Sequence, residues 1–113
     1  MSIKILGGKA RGLPLCVPPE SITRPTAVQL RRRPFDFRQD WDGWEFVDLC
    51  AGSGGMGLEA WSRGAREVHL VEVHPKALEA IAKNIRTLGE RYPEDVIERP
   101  VRLVRAKALP WLQ

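Results

Sequence analysis

The 113-residue sequence predicts an α/β fold built on a parallel sheet. Short apolar runs alternate with helical patterns over residues 45–105, and a glycine-rich turn carries the first run into the first helix. Ahead of them, two apolar stretches flank a basic glycine turn, which predicts an antiparallel hairpin.

The hairpin comes first. Ile3–Leu6 and Leu13–Val17 are its strands, with Lys9 and Arg11 at the tip. Pro18-Pro19 ends the second strand, and Arg24-Pro25-Thr26 opens an extended turn. A short helix from Val28 to Arg38 would be broken or kinked at Pro34. Asp40-Trp41-Asp42-Gly43 reads as a linker.

Glu45–Cys50 is short and mostly apolar, as a buried parallel strand should be. The turn Gly52–Gly57 leads into a helix of about two turns, stopped by Gly64. Glu67–Val73 is the second strand, and Pro75 suits the first position of the next helix. There Ala77, Leu78, Ile81, Ala82, Ile85 and Leu88 form an apolar stripe, with Gly89 expected to close it. A polar loop with Tyr92-Pro93 precedes the third strand, Val101–Arg105. In such a sheet the first strand should be central, yet nothing in the chain pairs with its other edge, so a fragment is expected.

Composition bounds the rest. The chain is 43% hydrophobic and 28% charged, the balance of a soluble globular domain. No apolar run approaches the roughly 20 residues of a membrane span, and Met1-Ser2-Ile3-Lys4 lacks the apolar stretch expected of a secretion signal. Cys16 and Cys50 lack metal-ligand spacing; reduced thiols, a cytoplasmic location and no metal are expected. Residues 1–40 hold eight Lys or Arg against three acids, while the remainder holds ten against eleven. The whole net charge of +4 therefore comes from the first third, a footprint of phosphate contact.

Gly52, Gly54 and Gly57 satisfy G-x-G-x-x-G between a strand and a helix, and Glu72 ends the next strand. Two cofactor classes use such a turn, and Asp48 separates them by charge. A carboxylate facing a pyrophosphate is repulsive, by about 1–4 kcal/mol at 4 Å depending on the dielectric. S-adenosylmethionine presents an ammonium and a sulfonium instead, so the same carboxylate attracts it. Glu72 suits either, because both carry ribose hydroxyls. The acid pair favours S-adenosylmethionine, with a dinucleotide as the alternative. His69 and His74 lack catalytic partners at motif spacing and read as structural or capping. Cys50 reads as packing, and Trp41 and Trp44 as core anchors. Arg31-Arg32-Arg33 reads equally as an RNA contact or as a solvated face.

Longer motifs follow one another in order. They are Ile5-Leu6-Gly7-Gly8-Lys9-Ala10-Arg11-Gly12, Arg24-Pro25-Thr26, Asp48-Leu49-Cys50-Ala51-Gly52-Ser53-Gly54, Gly57-Leu58-Glu59-Ala60-Trp61-Ser62-Arg63-Gly64-Ala65 and Val71-Glu72. Together they resemble the amino-terminal portion of the RsmD-type 16S ribosomal RNA guanine-N2 methyltransferases. The resemblance implies a Rossmann-like, class I S-adenosylmethionine-dependent methyltransferase sheet, represented by its first three parallel strands behind a basic hairpin. It divides the chain into an RNA-contacting arm, 1–40, and the first half of a cofactor domain, 41–113. It implies that Asp48, Gly52, Ser53 and Gly54 line the cofactor's methionine end, with Ala51 and Gly57 also counted to the cofactor site, that Glu72 holds its ribose and that Val73 flanks its adenine. Arg24 and Thr26 would fold back beside the cofactor. Lys9 and Arg11 would meet phosphates of ribosomal RNA or of a small-subunit assembly particle, and Arg31 and Arg32 are candidate RNA contacts from their charge alone.

The sequence departs from that family in three places. Lys107 stands where an acid or amide would accept the adenine amine, which a lysine cannot do. Arg31-Arg32-Arg33-Pro34 is more basic and proline-broken than the helix expected after the R-P-T segment. The family's catalytic segment, an acid or amide before two prolines and an aromatic, has no match. The chain as given is therefore expected to carry a cofactor half-site and no catalytic residue. The rivals are a dinucleotide-dependent oxidoreductase fragment and a non-catalytic RNA-binding remnant.

Overall fold

A computed structural model describes residues 2–18, 41–49 and 52–106. The expected short helix 28–38, Cys50 and Lys107 lie outside them. Strand β1 (Ser2–Lys4) pairs antiparallel with β2 (Pro14–Cys16), Ser2 opposite Cys16 and Lys4 opposite Pro14. Strands β3 (Glu45–Leu49), β4 (Glu67–Glu72) and β5 (Val101–Arg105) form a parallel sheet in the order β3-β4-β5. Helix α1 (Gly55–Ser62) joins β3 to β4, and α2 (Pro75–Arg91) with α3 (Pro93–Glu98) joins β4 to β5.

Register sets the faces. Phe46 and Asp48 pair with Val68 and Leu70, and Leu70 and Glu72 pair with Leu103 and Arg105. These residues share one face, because side chains alternate along a strand. Both helices cover that face: Leu58, Trp61, Ile81 and Leu88 join Val68 and Leu70 in one buried cluster. The hairpin adds a third layer to the same cluster through Ile5, Ala10 and Leu15. Among the described strands β3 lies at a sheet edge, where Val47 and Leu49 are 43% and 39% exposed.

Two expectations between β4 and β5 change. Gly89 does not close α2, which runs on to Arg91. A terminating glycine needs a left-handed backbone, and Gly89 is not among the positive-φ glycines. A Cβ there would stand 3.8 Å from Val96 Cγ2, an ordinary contact between α2 and α3. The Tyr92-Pro93 loop is the start of α3, with proline in its first turn beside Glu94 and Asp95. The expected linker around Trp41 is also docked. Trp41 N–H donates to the Arg63 carbonyl, its ring meets Phe46 edge-on at 5.5 Å, and Asp42 bridges to Ala65. Trp44 is half-exposed rather than a core anchor.

Two three-residue strands are too short to stand alone. Glu59, 0% exposed on α1, accepts the N–H groups of Leu6 (2.8 Å) and Gly7 (2.9 Å) and takes Arg63 Nε at 2.9 Å. Ser62 donates to the Gly7 carbonyl at 2.6 Å and accepts the Ala10 N–H at 2.8 Å. Lys9 N–H caps the Ser62 carbonyl at 2.8 Å. Glycine is required at the join: at Gly8, with φ 78°, a Cβ would run into the Ser62 carbonyl. Arg99 fastens the entry to β5, donating to the carbonyls of Trp61 and Ala65 with its guanidinium 4.4 Å from the Trp61 ring.

Replacing Glu59 by alanine strands two hairpin amides and takes the carboxylate away from a nearly buried Arg63 guanidinium. Urea unfolding should show a loss of about 3–5 kcal/mol; a loss under 1 kcal/mol would mean the hairpin is not held through this carboxylate.

Candidate functional site

The site forms where β3 and β4 end. Gly52 and Gly54 adopt left-handed backbone, φ 61° and 81°, and Gly54 is the N-cap of α1. Gly57 lies inside α1 and serves a different purpose. A Cβ there would be driven into Leu70 and stand 2.9 Å from Val68 Cγ1. Its bareness is what lets α1 sit close on the sheet, so it supports the turn from beneath.

The two acids grip the turn from opposite ends. Asp48 Oδ2 accepts the Gly57 N–H at 3.3 Å. Glu72 Oε1 accepts the Gly52 N–H at 3.0 Å, while Oε2 takes those of Val73 and His74, each at 3.0 Å. Ser53 Oγ accepts the Gly55 N–H at 3.2 Å, and Val73 is half-exposed just beyond Glu72. His74 caps α2 through Nδ1, the capping role expected of it, and His69 pairs with Glu67.

The carboxyls differ in charge. Burial pushes Asp48 up to about 7; the Gly57 amide opposes this and the Glu72 charge reinforces it. At Glu72 burial also acts upward, but the amides of His74, Gly52 and Val73 outweigh it and hold the group below its ordinary range. Glu72 is thus a firm anion and Asp48 a carboxyl that shares a proton near neutrality. The attraction argued from sequence treats Asp48 as a full charge; in the folded chain near neutral pH it carries only part of one.

The hairpin spans this layer lengthwise. Its tip meets Ser62 at the C-terminal end of α1, whereas Cys16 lies beside Ser53 at the other end, joined through Asn84. Lys9 and the crevice are therefore separated by roughly the 12 Å length of α1. Lys9 Nζ also binds Asp95 Oδ1 at 2.7 Å, while Arg11 is exposed. Ala51, Arg24, Thr26, Arg31 and Arg32 lie outside the described residues. Sequence reading assigned no role to Glu59, Ser62 or Asn84; the available signal was clearest at Asn84, a polar residue with Ile81 and Leu88 one turn away on either side.

A parallel sheet with both connecting helices on one face, and a glycine turn held by acids ending adjacent strands, defines a Rossmann-like, methyltransferase-type domain. The chain belongs to the family described as conserved hypothetical protein 95, the RsmD family, which it matches over residues 3–109. Ribosomal RNA small subunit methyltransferase D of Escherichia coli K12 is 38% identical over 88 residues, 76% of this chain and 44% of that protein. A hypothetical protein of Thermus thermophilus superposes with a TM-score of 0.77 at 38% identity, covering 97% of this chain and 58% of that one. The C-terminal domain of precorrin-6Y C5,15-methyltransferase from Rhodobacter capsulatus gives 0.64 at 27% identity, over 85% and 51%. The chain spans about half the length of the curated relatives it matches.

Two outcomes check the site. Gly57→Ala should cost about 1–3 kcal/mol in urea unfolding, the usual range for overpacking; a neutral substitution would show that α1 is not held at close approach. Asp48 carries a folded-state value of about 7 against 3.8 in the open chain, so between about pH 4 and 7 only the folded state keeps its proton. Stability should therefore fall as pH rises through that window, by up to roughly 1.4 kcal/mol per pH unit from this group. Urea midpoints of the parent against Asp48→Asn isolate that slope; parallel profiles would show that Asp48 ionises normally.

Proposed function

We propose that this chain provides the cofactor-binding part of an S-adenosylmethionine-dependent RNA methyltransferase acting on the N2 amine of a guanine in small-subunit ribosomal RNA. The observation that carries the cofactor class is the pair of carboxylates bracketing a glycine turn at the ends of adjacent parallel strands. The RNA class is supported by the names of relatives in the same family, and the guanine amine by the resemblance in the motifs.

The residues fit such a cofactor. Glu72, held ionised by three backbone amides, is assigned to the ribose, with acceptor capacity left on Oε1 for a hydroxyl. Asp48 is assigned to the cationic methionine end, with Gly52, Ser53, Gly54 and, outside the described residues, Ala51 assigned to the lining of the turn. Val73 offers an apolar edge for the adenine. The bound cofactor supplies an electrophilic methyl group; what these residues supply is its position, which can account for a large share of such a rate. Arg24 and Thr26 are assigned to the cofactor's flank. No described residue is assigned to the chemistry on the guanine.

RNA contact falls to the arm 1–40, with Lys9, Arg11, Arg31 and Arg32 as phosphate partners, whether the substrate is free RNA or an assembling cytoplasmic particle. Because the tip and the crevice occupy opposite ends of α1, Lys9 and Arg11 would hold RNA at a distance from the target base. That is orientation without sequence readout. The Lys9–Asp95 pair has to open first, at small cost for so exposed an ion pair.

Calorimetric titration tests the reading, with S-adenosylmethionine and S-adenosylhomocysteine as ligands and NAD as control. Both adenosyl ligands should bind saturably, and Glu72→Ala should weaken them by about 10–100-fold, the worth of charge-assisted hydrogen bonds. S-adenosylmethionine affinity should rise with pH between about 5 and 7 as Asp48 gives up its proton, and Asp48→Asn should flatten that rise. Binding of NAD alone would replace this reading with a dinucleotide enzyme. RNA binding with a steep salt dependence and neither cofactor would leave only an RNA-contacting remnant.

A further inference from the structure

Asn84 lies in the apolar stripe of α2 with Ala77, Ile81 and Leu88, and is 1% exposed. An amide there is costly unless its polar atoms are matched. They are. Its Oδ1 accepts the Cys16 N–H at 2.7 Å, and its Nδ2 donates to the Cys16 carbonyl at 2.8 Å and to the Ser53 carbonyl at 2.9 Å. Both Nδ2 hydrogens are engaged, one on the hairpin and one on the glycine turn. Among the described residues no other side chain bonds to both.

The bond to Ser53 fixes more than one atom. A planar trans peptide points its carbonyl and the following N–H in opposite directions. With the Ser53 carbonyl held toward α2, the Gly54 N–H is turned to the opposite side, and no acceptor among the described residues takes it. The same restraint supports the left-handed backbone of Gly54, φ 81° and ψ 8°, on which α1 begins.

We propose that Asn84 is a positioning residue of the cofactor turn: it locks the Ser53–Gly54 peptide so that the Gly54 N–H is presented to an anionic group of the ligand, and it ties that peptide to strand β2. The assignment rests on the cofactor reading above, with the ligand's carboxylate as the group recognised.

Asn84→Asp keeps an acceptor for the Cys16 N–H and removes both donors, setting a carboxylate against two carbonyls. Leu88→Val, one methylene removed from the same buried stripe but away from the turn, controls for general loosening of α2. In the unliganded, 15N-labelled chain, the Gly54 amide resonance should broaden or split in Asn84→Asp and stay single in Leu88→Val. S-adenosylhomocysteine affinity, measured where circular dichroism shows folded protein, should fall at least tenfold in the first variant and less than twofold in the second. An unchanged Gly54 resonance with parental affinity in Asn84→Asp overturns the proposal, and so does an equal loss in Leu88→Val. If the parent chain binds no S-adenosylhomocysteine, the cofactor reading fails instead, and the Gly54 resonance alone decides whether Asn84 locks the turn. If the aspartate variant does not fold, Asn84→Ser takes its place under the same criteria.

Discussion

A hairpin of two three-residue strands exposes more backbone polar groups than it pairs, and the packing of this protein depends on how they are satisfied. The buried polar side chains among the described residues are Glu59, Ser62 and Asn84, and all three bond to the hairpin backbone. Glu59 and Ser62 hold its tip against the end of α1, while Asn84 holds its second strand against α2. Each would carry a desolvation penalty alone; matched to hairpin amides and carbonyls, they turn a marginal hairpin into a fixed layer. Ile5, Ala10 and Leu15 can then enter the helix–sheet core.

The crevice is built on a similar matching of polar groups. A chain that reverses from strand to helix leaves amides unmatched at the start of the helix. Asp48 and Glu72 take some of them, but in different settings. Glu72 collects three amides and stays ionised; Asp48 collects one, is buried against its neighbour's charge, and keeps a proton to about pH 7. The result is one permanent anion beside one conditional anion. A cationic ligand would complete the pair.

The hairpin and the crevice are mechanically one object. Strand β2 touches Asn84, Asn84 touches Ser53, and Ser53 precedes the helix whose far end clamps the hairpin tip. The hairpin is thus hydrogen-bonded at both ends of α1. This closed circuit gives physical sense to the order of motifs along the chain, since the glycines of the hairpin and the Glu59–Ser62 stretch of α1 are two sides of one contact.

The sequence by itself determined the parallel α/β order, the hairpin, the glycine turn and its two acids, because these follow from local periodicity and from glycine and charge placed beside one another. It misread Gly89 as a stop and Pro93–Glu98 as a loop, because a glycine ends a helix only where the backbone turns left-handed, and Gly89 stays within the helix while the next helix packs beside it. Three further matters were decided only by the tertiary structure. The state of Asp48 depends on burial, Gly57 is required by Leu70 and Val68 across the sheet, and Asn84 acts through partners 31 and 68 positions away in the chain. Sequence patterns report what neighbours along the chain prefer; desolvation, close approach and long-range hydrogen bonds exist only once distant segments share a surface.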